Sequence, residues 1–245
     1  MCLMLELLKA HSSVRKYKDE PISDEVFHRL LHAGQHAASS HFVQAYSVIQ
    51  VKDSQKKEAL GRLSNNEKQF KTAALSLLFC ADLKRGQKAV ELHEKDIVGD
   101  TVEDFVVSIV DTAIFAQNFV IAAESEGYGI CYIGGVRNNP AAISDLFNLP
   151  DYVFPLFAMT VGVPDEKNEV KPRLPVESVL HVDAYHEDKY EDQLKEYDAI
   201  FNEYYRKRTN NKKDLTWTET MADFLPKERR AHLAEFVKSK GYLKK

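Results

Sequence analysis

The chain has 245 residues, 33 Lys+Arg against 37 Asp+Glu, and a formal net charge of −4. A chain this long buries about 70–75% of its unfolded surface, so it needs neither disulfides nor a structural metal to fold. Apolar residues at 44% and charged residues at 29% exclude a disordered or fibrous protein. Cys2, Cys80 and Cys131 show no C-x-x-C spacing, which fits a reducing compartment and gives neither a zinc site nor a dithiol motif. No basic segment followed by an apolar one opens the chain, so no signal peptide is expected and the expected location is cytoplasmic.

Leu3 to Ala10 is predicted as a short helix. Ser23 caps a second one, with Val26, Leu30, Leu31 and Gly34 on its apolar face. Residues 45–51 alternate as a strand does, Ser54 to Leu63 is helical, and Ala74 to Ala81 is an apolar run suited to a fully buried strand. Arg85 to Gly99 is polar and gives no clear element. Thr101 to Glu126 is the centrepiece, a helix of ~39 Å. Apolar residues around most of its circumference predict burial on nearly all sides. Its interior Asp111, Gln117 and Asn118 make it a core helix rather than a membrane span.

Gly127 and Gly129 end that helix, and Tyr128 to Ile133 returns as a strand. Asn139-Pro140 gives a cap followed by a proline at the first helical position. Val153 to Gly162 is a further strand, and a loop follows through Lys171-Pro172-Arg173. Helices are predicted from Glu187 to Lys207, near Trp217 to Phe224, and from Pro226 to Gly241. Few strands separated by helices give an α+β or α/β class with a small sheet. Residues 204–245 carry +7, leaving −11 for residues 1–203. A basic end on an acidic body fits an anionic ligand, an arm lying on another protomer, or a solvated helical face.

The sequence lacks a P-loop, a G-x-G-x-x-G turn, a G-x-S-x-G elbow and H-E-x-x-H. His28, His32 and His36 have metal-ligand spacing but point away from the apolar face with no completing carboxylate or thiolate, so no metal is expected. Three other segments carry more chemistry. His11-Ser12-Ser13-Val14-Arg15 offers an imidazole, two hydroxyls and a guanidinium, donors that suit a phosphate or the ribityl chain of a flavin. A polar loop closing a helix is the plainer reading. Tyr132-Ile133-Gly134-Gly135 ends a buried strand with two glycines, which permits close approach to a flat ligand or a simple tight turn. In Lys171-Pro172-Arg173, proline fixes the backbone between two cations that can converge on one dianion, or that form an exposed basic loop.

Taken in order, these segments resemble the flavin-binding set of the nitroreductase superfamily, in its NADPH-dependent branch. The pattern H-x-S-x-R followed by D-E-P-I is present as His11, Ser13, Arg15 and Asp19-Glu20-Pro21-Ile22. It continues through Ala37 to Gln44, Val110-Asp111-Thr112-Ala113, Tyr132 to Asn139, Lys171 to Pro175, and Tyr204 to Arg208 with Trp217. The likeness covers about residues 5 to 241, and its specificity lies in the joint order of the motifs.

The resemblance implies an α+β nitroreductase-like fold, with a central mixed sheet flanked by helices around a long buried helix, in an intertwined homodimer. It also implies a single FMN-binding domain over 1–245, with 185–245 a helical arm on the partner protomer. FMN contacts are implied across His11, Ser12, Ser13, Val14 and Arg15, at Ser39 and Glu67, at Tyr132, Ile133, Gly134 and Gly135, and at Lys171, Pro172 and Arg173. Lys171 and Arg173 would take the phosphate, Arg15 the N1/O2 edge, and the backbone at Gly134 would face N5. Arg208, Lys212 and Lys213 would meet the 2′-phosphate of NADPH.

This sequence departs from the family pattern at three positions. Ser12 stands where many relatives have Arg, His41 where Ser is common, and Glu67 where Gln is usual. A carboxylate donates no hydrogen bond unless protonated, so either Glu67 turns away or Gln69 substitutes. The implied activity is ping-pong hydride transfer from NADPH through FMN to nitroaromatics, quinones or free flavins, with no general acid or base assigned. A flavin-holding protein with little turnover is the alternative. A nucleic-acid binder is disfavoured by the acidic body and the lack of a basic surface interleaved with aromatics.

Overall fold

The computed structural model describes residues 3–244; Cys2 and Lys245 lie outside the described residues. The chain divides into two compact units, Met1–Asn168 together with Arg230–Lys245, and Glu169–Arg229. The expected arm over 185–245 is therefore shared between the units.

The first unit is built on four strands, β1 (Tyr46–Gln50), β2 (Leu75–Asp82), β3 (Gly129–Ile133) and β4 (Val153–Gly162), in the order β1-β2-β4-β3. All three pairings are antiparallel, which corrects the expected mixed sheet. β4 is inserted between β2 and β3, which run in the same direction, so no parallel neighbours arise. β2 is buried throughout and mostly apolar, with Ser76 and Asp82 as its polar residues, because it is covered on both faces. Leu75, Leu77 and Phe79 join one core cluster and Leu78 and Cys80 another, as period-2 alternation requires. The ladder shifts register between Phe79 and Cys80, where Cys80 stands opposite Pro155. A proline supplies no N–H, so an irregularity there is expected.

Helices α1 (Leu3–Lys9), α2 (Asp24–Gln35), α3 (Ser54–Ser64), α4 (Glu67–Thr72), α5 (Lys84–Glu91), α6 (Val102–Ser125) and α7 (Pro140–Leu146) surround the sheet. Ser23 caps α2 by accepting from Val26 N, and Thr101 caps α6 by accepting from Asp104 N. α2 and α6 cover one face through Phe27, Leu30, Phe115 and Phe119. Tyr46 stacks flat on Phe115 with centroids 4.3 Å apart. Leu60, Phe70 and Ile143, from α3, α4 and α7, cover the other. α4 and α5 are unpredicted, since short polar helices leave weak periodicity. Asn139 spends its amide on Leu63 O (2.8 Å) instead of capping α7.

α6 corrects a second expectation. It is long and apolar enough to cross a membrane by length and composition alone, yet its inner face packs on the sheet. Its other face is open: Val102, Val106, Val110 and Ile114 are 60%, 46%, 45% and 38% exposed. These positions recur every four residues and form one stripe that nothing among the described residues covers. Midway along α6, the buried Asp111 carboxylate accepts the Ser39 hydroxyl (2.7 Å), Ser40 N (3.0 Å) and Ala45 N (3.1 Å). It thereby fixes a loop in which His41, Phe42 and Gln44 have positive φ.

The chain re-enters the first unit at Arg230 and forms α10 (Leu233–Ser239), shorter than predicted because Arg230 breaks the helical path with φ 56. Val237 and Tyr242 pack on Ala81, Phe154 and Leu156. Lys240 Nζ donates to Leu149 O (2.7 Å), and Tyr152 N to Lys240 O (2.7 Å).

The second unit contains α8 (Tyr190–Arg208) and α9 (Trp217–Phe224). α9 begins with a capping box formed by Thr216 and Glu219. Asp198 of α8 accepts both the Thr218 backbone N–H (2.9 Å) and its hydroxyl, and Tyr197 meets Trp217 edge-on.

Replacing Asp111 with Ala strands three donors and should lower unfolding free energy by about 3 kcal/mol or more. Urea denaturation measures the loss, and proteolysis should newly cut the segment 39–45. An unchanged midpoint would show that the clamp contributes nothing.

Candidate functional site

The segment 11–15 lies along β3: Val14 N donates to Ile130 O (2.9 Å). The Tyr17 hydroxyl secures it by donating to Val14 O (2.7 Å) while lying 2.9 Å from the Thr160 hydroxyl. Extended backbone sends alternate side chains to opposite sides, and this divides the five expected contacts. Ser12 and Val14 line a cleft of about 660 Å³ with Lys18, Tyr128, Asp165 and Asn168. His11, Ser13 and Arg15 are absent from that lining. Val14 is buried against Gly129, so its side chain has a packing role.

His11 Nδ1 lies 2.6 Å from Glu124 Oε1. With the proton on Nδ1 this is a charge-assisted bond that orients the ring and leaves Nε2 for another partner. The Arg15 backbone N–H donates to Glu166 Oε1 (2.7 Å), and Asn168 Nδ2 bonds both Glu166 Oε1 and Ser13 O. Burial pushes the Cys131 thiol up, and the Arg15 guanidinium partly opposes it. Cys131 is thus held toward its protonated form and away from thiolate chemistry.

β3 runs directly into a 3-10 turn, Gly134–Asn138. Tyr132 lies edge-on to Phe157, and Ile133 is buried. The two glycines have different reasons to be there. A Cβ on Gly135 would sit 2.1 Å from Ser64 O, whereas one on Gly134 would meet only the end of the Arg137 side chain at 3.1 Å. Gly135 is therefore dictated by its approach to the end of α3, a packing reason that stands beside its expected backbone contact with a ligand. Gly134 is faced on its Cβ side by the Arg137 guanidinium alone. Glu67 is exposed at the start of α4. Gln69 Oε1 in the same helix is buried with no hydrogen-bond partner among the described residues. Ser39 commits its proton to Asp111 and accepts from Gln44 N (2.7 Å), so it holds the loop within its own chain.

In the second unit, the Lys171 ammonium lies 5.9 Å from the Phe201 ring centroid and 5.4 Å from that of Tyr205. Pro172 O accepts from the Tyr197 hydroxyl (2.9 Å), and Arg173 Nη1 donates to Lys171 O (3.0 Å). Among the described residues neither cation has a carboxylate partner. Further along, Arg208 lies 5.9 Å over the Tyr204 ring and Nη1 donates to its hydroxyl (3.2 Å). Lys212 and Lys213 are exposed in the turn after α8.

Each unit, taken by itself, carries groups of a kind that FMN uses: in the second, two cations without a carboxylate partner among the described residues fit a phosphate dianion, and in the first an orphaned buried oxygen at Gln69 can receive a ring N–H. Sequence reasoning missed the Asp111 clamp, although a carboxylate inside an apolar helix was its visible sign.

Fold and donor groups thus define a flavoprotein-like α+β class, and the comparisons refine it. The family model described as Nitroreductase family matches residues 8–163, and that of its C-terminal domain matches residues 171–245. A Cr(VI) reductase from Pseudomonas sp. (strain G-1) is 54% identical over 240 residues, covering 98% of this chain and 99% of the relative. An FMN reductase (NADPH) from Bacillus subtilis (strain 168) is 38% identical, with 98% of each covered. The solved NfrA1 nitroreductase from B. subtilis superposes with a TM-score of 0.95 at 38% identity, covering 99% of this chain and 100% of that one. The chain belongs to the nitroreductase family.

Gly135→Ala should cost about 2–3 kcal/mol by overpacking against Ser64 O, and Gly134→Ala under about 1 kcal/mol. Thermal unfolding of the two variants tests this, and equal losses would contradict the difference drawn between the glycines.

Proposed function

We infer that the chain is an FMN-dependent oxidoreductase that uses NADPH to reduce flat, electron-poor acceptors such as nitroaromatics, quinones and free flavins. The observation that carries this is the pair Lys171 and Arg173, held ready and free of carboxylates within a family match that spans nearly the whole chain. When bound, FMN would supply two-electron hydride chemistry.

The residues of the chain divide the remaining work. Lys171 and Arg173 hold the phosphate, and the stacking of Lys171 on Phe201 and Tyr205 limits its rotamers before the ligand arrives. Arg15, free in its side chain apart from Cys131, supplies positive charge where negative charge develops on the ring. His11, fixed by Glu124, and Ser13 offer donors to the polar chain. Backbone at Tyr132 to Gly134 supports the ring edge, and Gln69 takes the hydrogen-bonding place that Glu67 leaves. Ser12 and Val14, directed to the other side, contribute through backbone only, as does Pro172, and Ser39 acts through its loop. Arg208, Lys212 and Lys213 receive the 2′-phosphate of NADPH.

A second copy of the chain covers the open stripe Val102, Val106, Val110 and Ile114, since apolar stripes of this kind are uncommon on a monomer. The expected cytoplasmic location belongs to the same reading. The 54% identity to a Cr(VI) reductase favours chromate as a second class of acceptor.

The purified protein should be yellow with about one FMN per chain, and anaerobic NADPH should bleach it. A yellow protein that NADPH leaves unbleached would make it a flavin-holding protein. Arg173→Ala removes a charge-assisted contact and should weaken FMN binding by about tenfold to a hundredfold. Full flavin retention after dialysis would overturn the phosphate assignment.

NADPH and NADH differ only at the 2′-phosphate, so discrimination has to come from cations that meet it. Arg208→Ala should raise KM for NADPH while leaving NADH kinetics near wild type. The preference should also shrink with salt, because the Debye length falls to ~3 Å at 1 M. Equal losses with both coenzymes would give Arg208 another role.

A further inference from the structure

We propose that the first unit holds a second small-molecule site, a cleft beside β1 that takes an uncharged planar carboxamide. The cleft measures about 440 Å³, a size suited to a small organic ligand. A hydroxyl without a partner marks it. Among the described residues four tyrosines are buried, and three spend their hydroxyls on backbone oxygens: Tyr17 on Val14 O (2.7 Å), Tyr197 on Pro172 O (2.9 Å) and Tyr242 on Tyr152 O (2.7 Å). Tyr46 is the exception. It is 7% exposed, its ring lies flat on Phe115, and it lines the cleft, yet among the described residues its hydroxyl meets no hydrogen-bond partner. Burial holds this phenol above its ordinary pKa, with Asp111 adding to the rise and Arg85 opposing it, so at neutral pH the group is a proton donor waiting for an acceptor.

The walls are formed before a ligand arrives. Arg85 braces one of them: Nη1 donates to Gln44 O (3.1 Å) and Nη2 to the Ser47 hydroxyl (3.0 Å). The Asp111 clamp fixes the loop that carries Val43 and Gln44 by accepting from Ser40 N and Ala45 N. Such preorganisation lowers the cost of ordering on binding. Leu31, Val43 and Val48 supply aliphatic surface, and Gln35 and Gln44 bring side-chain amides that make no hydrogen bond among the described residues. An amide presents a donor side and an acceptor side. A ligand carboxamide answers both, and its oxygen can take the Tyr46 proton. The lining also disfavours charge. Arg85 is its one charged residue among those described, and Asp82 already answers that charge at 4.0 Å. A carboxylate ligand would therefore be desolvated without a free cation, near enough to Asp111 to feel the field that raises the Tyr46 pKa. Seated on Val43 and Gln44, the ligand holds the loop 39–45 in its clamped form.

None of the lining residues is an assigned FMN or NADPH contact, so the site stands independently of the function proposed above. Methyl NMR on the FMN-saturated protein follows a titration with benzamide, with benzoate as the charged control of the same shape. Benzamide should shift the methyl signals of Leu31, Val43 and Val48 and saturate them. Tyr46→Phe keeps the ring for stacking on Phe115 and removes only the hydroxyl, and it should weaken benzamide binding about threefold to tenfold. Gln35→Leu should do the same, and because Gln35 is exposed on α2 it reports on the site even if Tyr46→Phe disturbs the core. Saturating benzamide should slow proteolysis within 39–45 of the wild type about threefold or more. Unshifted signals at the three methyl residues, unchanged affinity in either variant, or benzoate binding as tightly as benzamide would overturn the carboxamide site. Binding that leaves the proteolysis rate unchanged would overturn its hold on the loop.

Discussion

A single buried carboxylate organises much of the first unit. Asp111 stands in the middle of the apolar helix α6, with three donors from residues 39–45 on its two oxygens. An unpaired charge in that position would cost several kcal/mol, and the donors offset it. The clamp fixes where the chain leaves α2 and enters β1, so it sets the register in which Tyr46 stacks on Phe115. The loop itself is strained, with three non-glycine residues at positive φ. It holds its shape because the carboxylate over-determines it.

The sheet then distributes the chemistry. Because β2 is buried on both faces, ligands approach at strand ends and along the two outer strands, β1 and β3. The segment 11–15 lies against β3, and the Gly134 turn lies at its end. Antiparallel insertion of β4 between β2 and β3 makes this possible, since it leaves β3 at the edge with its far side open to a non-sheet segment.

Elements with strong periodicity or capping signals were legible in the sequence. Ser23 and Thr101 mark the starts of α2 and α6, and the apolar run of β2 and the extent of β4 follow from composition. α4, α5 and the 3-10 turn were not legible, because their short spans hold too few residues for a period to show. The candidate site was legible as a set of residue types but not as a geometry. Spacing alone could not show that Ser12 and Val14 turn away from His11, Ser13 and Arg15. Nor could it show that Gly135 answers to a carbonyl adjacent in space but seventy-one positions earlier, at Ser64. The open stripe on α6 escaped for a related reason: hydrophobicity around a helix says that it will be covered, and not by which molecule.

The return of the chain at Arg230 has a consequence for how the protein is made. The first unit leaves part of its core to α10 and Tyr242, which pack on Ala81, Phe154 and Leu156. During synthesis those side chains emerge long before their cover does, separated from it by the whole of Glu169–Arg229. A nascent chain thus carries an uncovered apolar patch until residues 230–242 have emerged, a period in which such surfaces invite association. The contacts of Lys240 and Tyr242 therefore seal an interior whose other walls were synthesised far earlier.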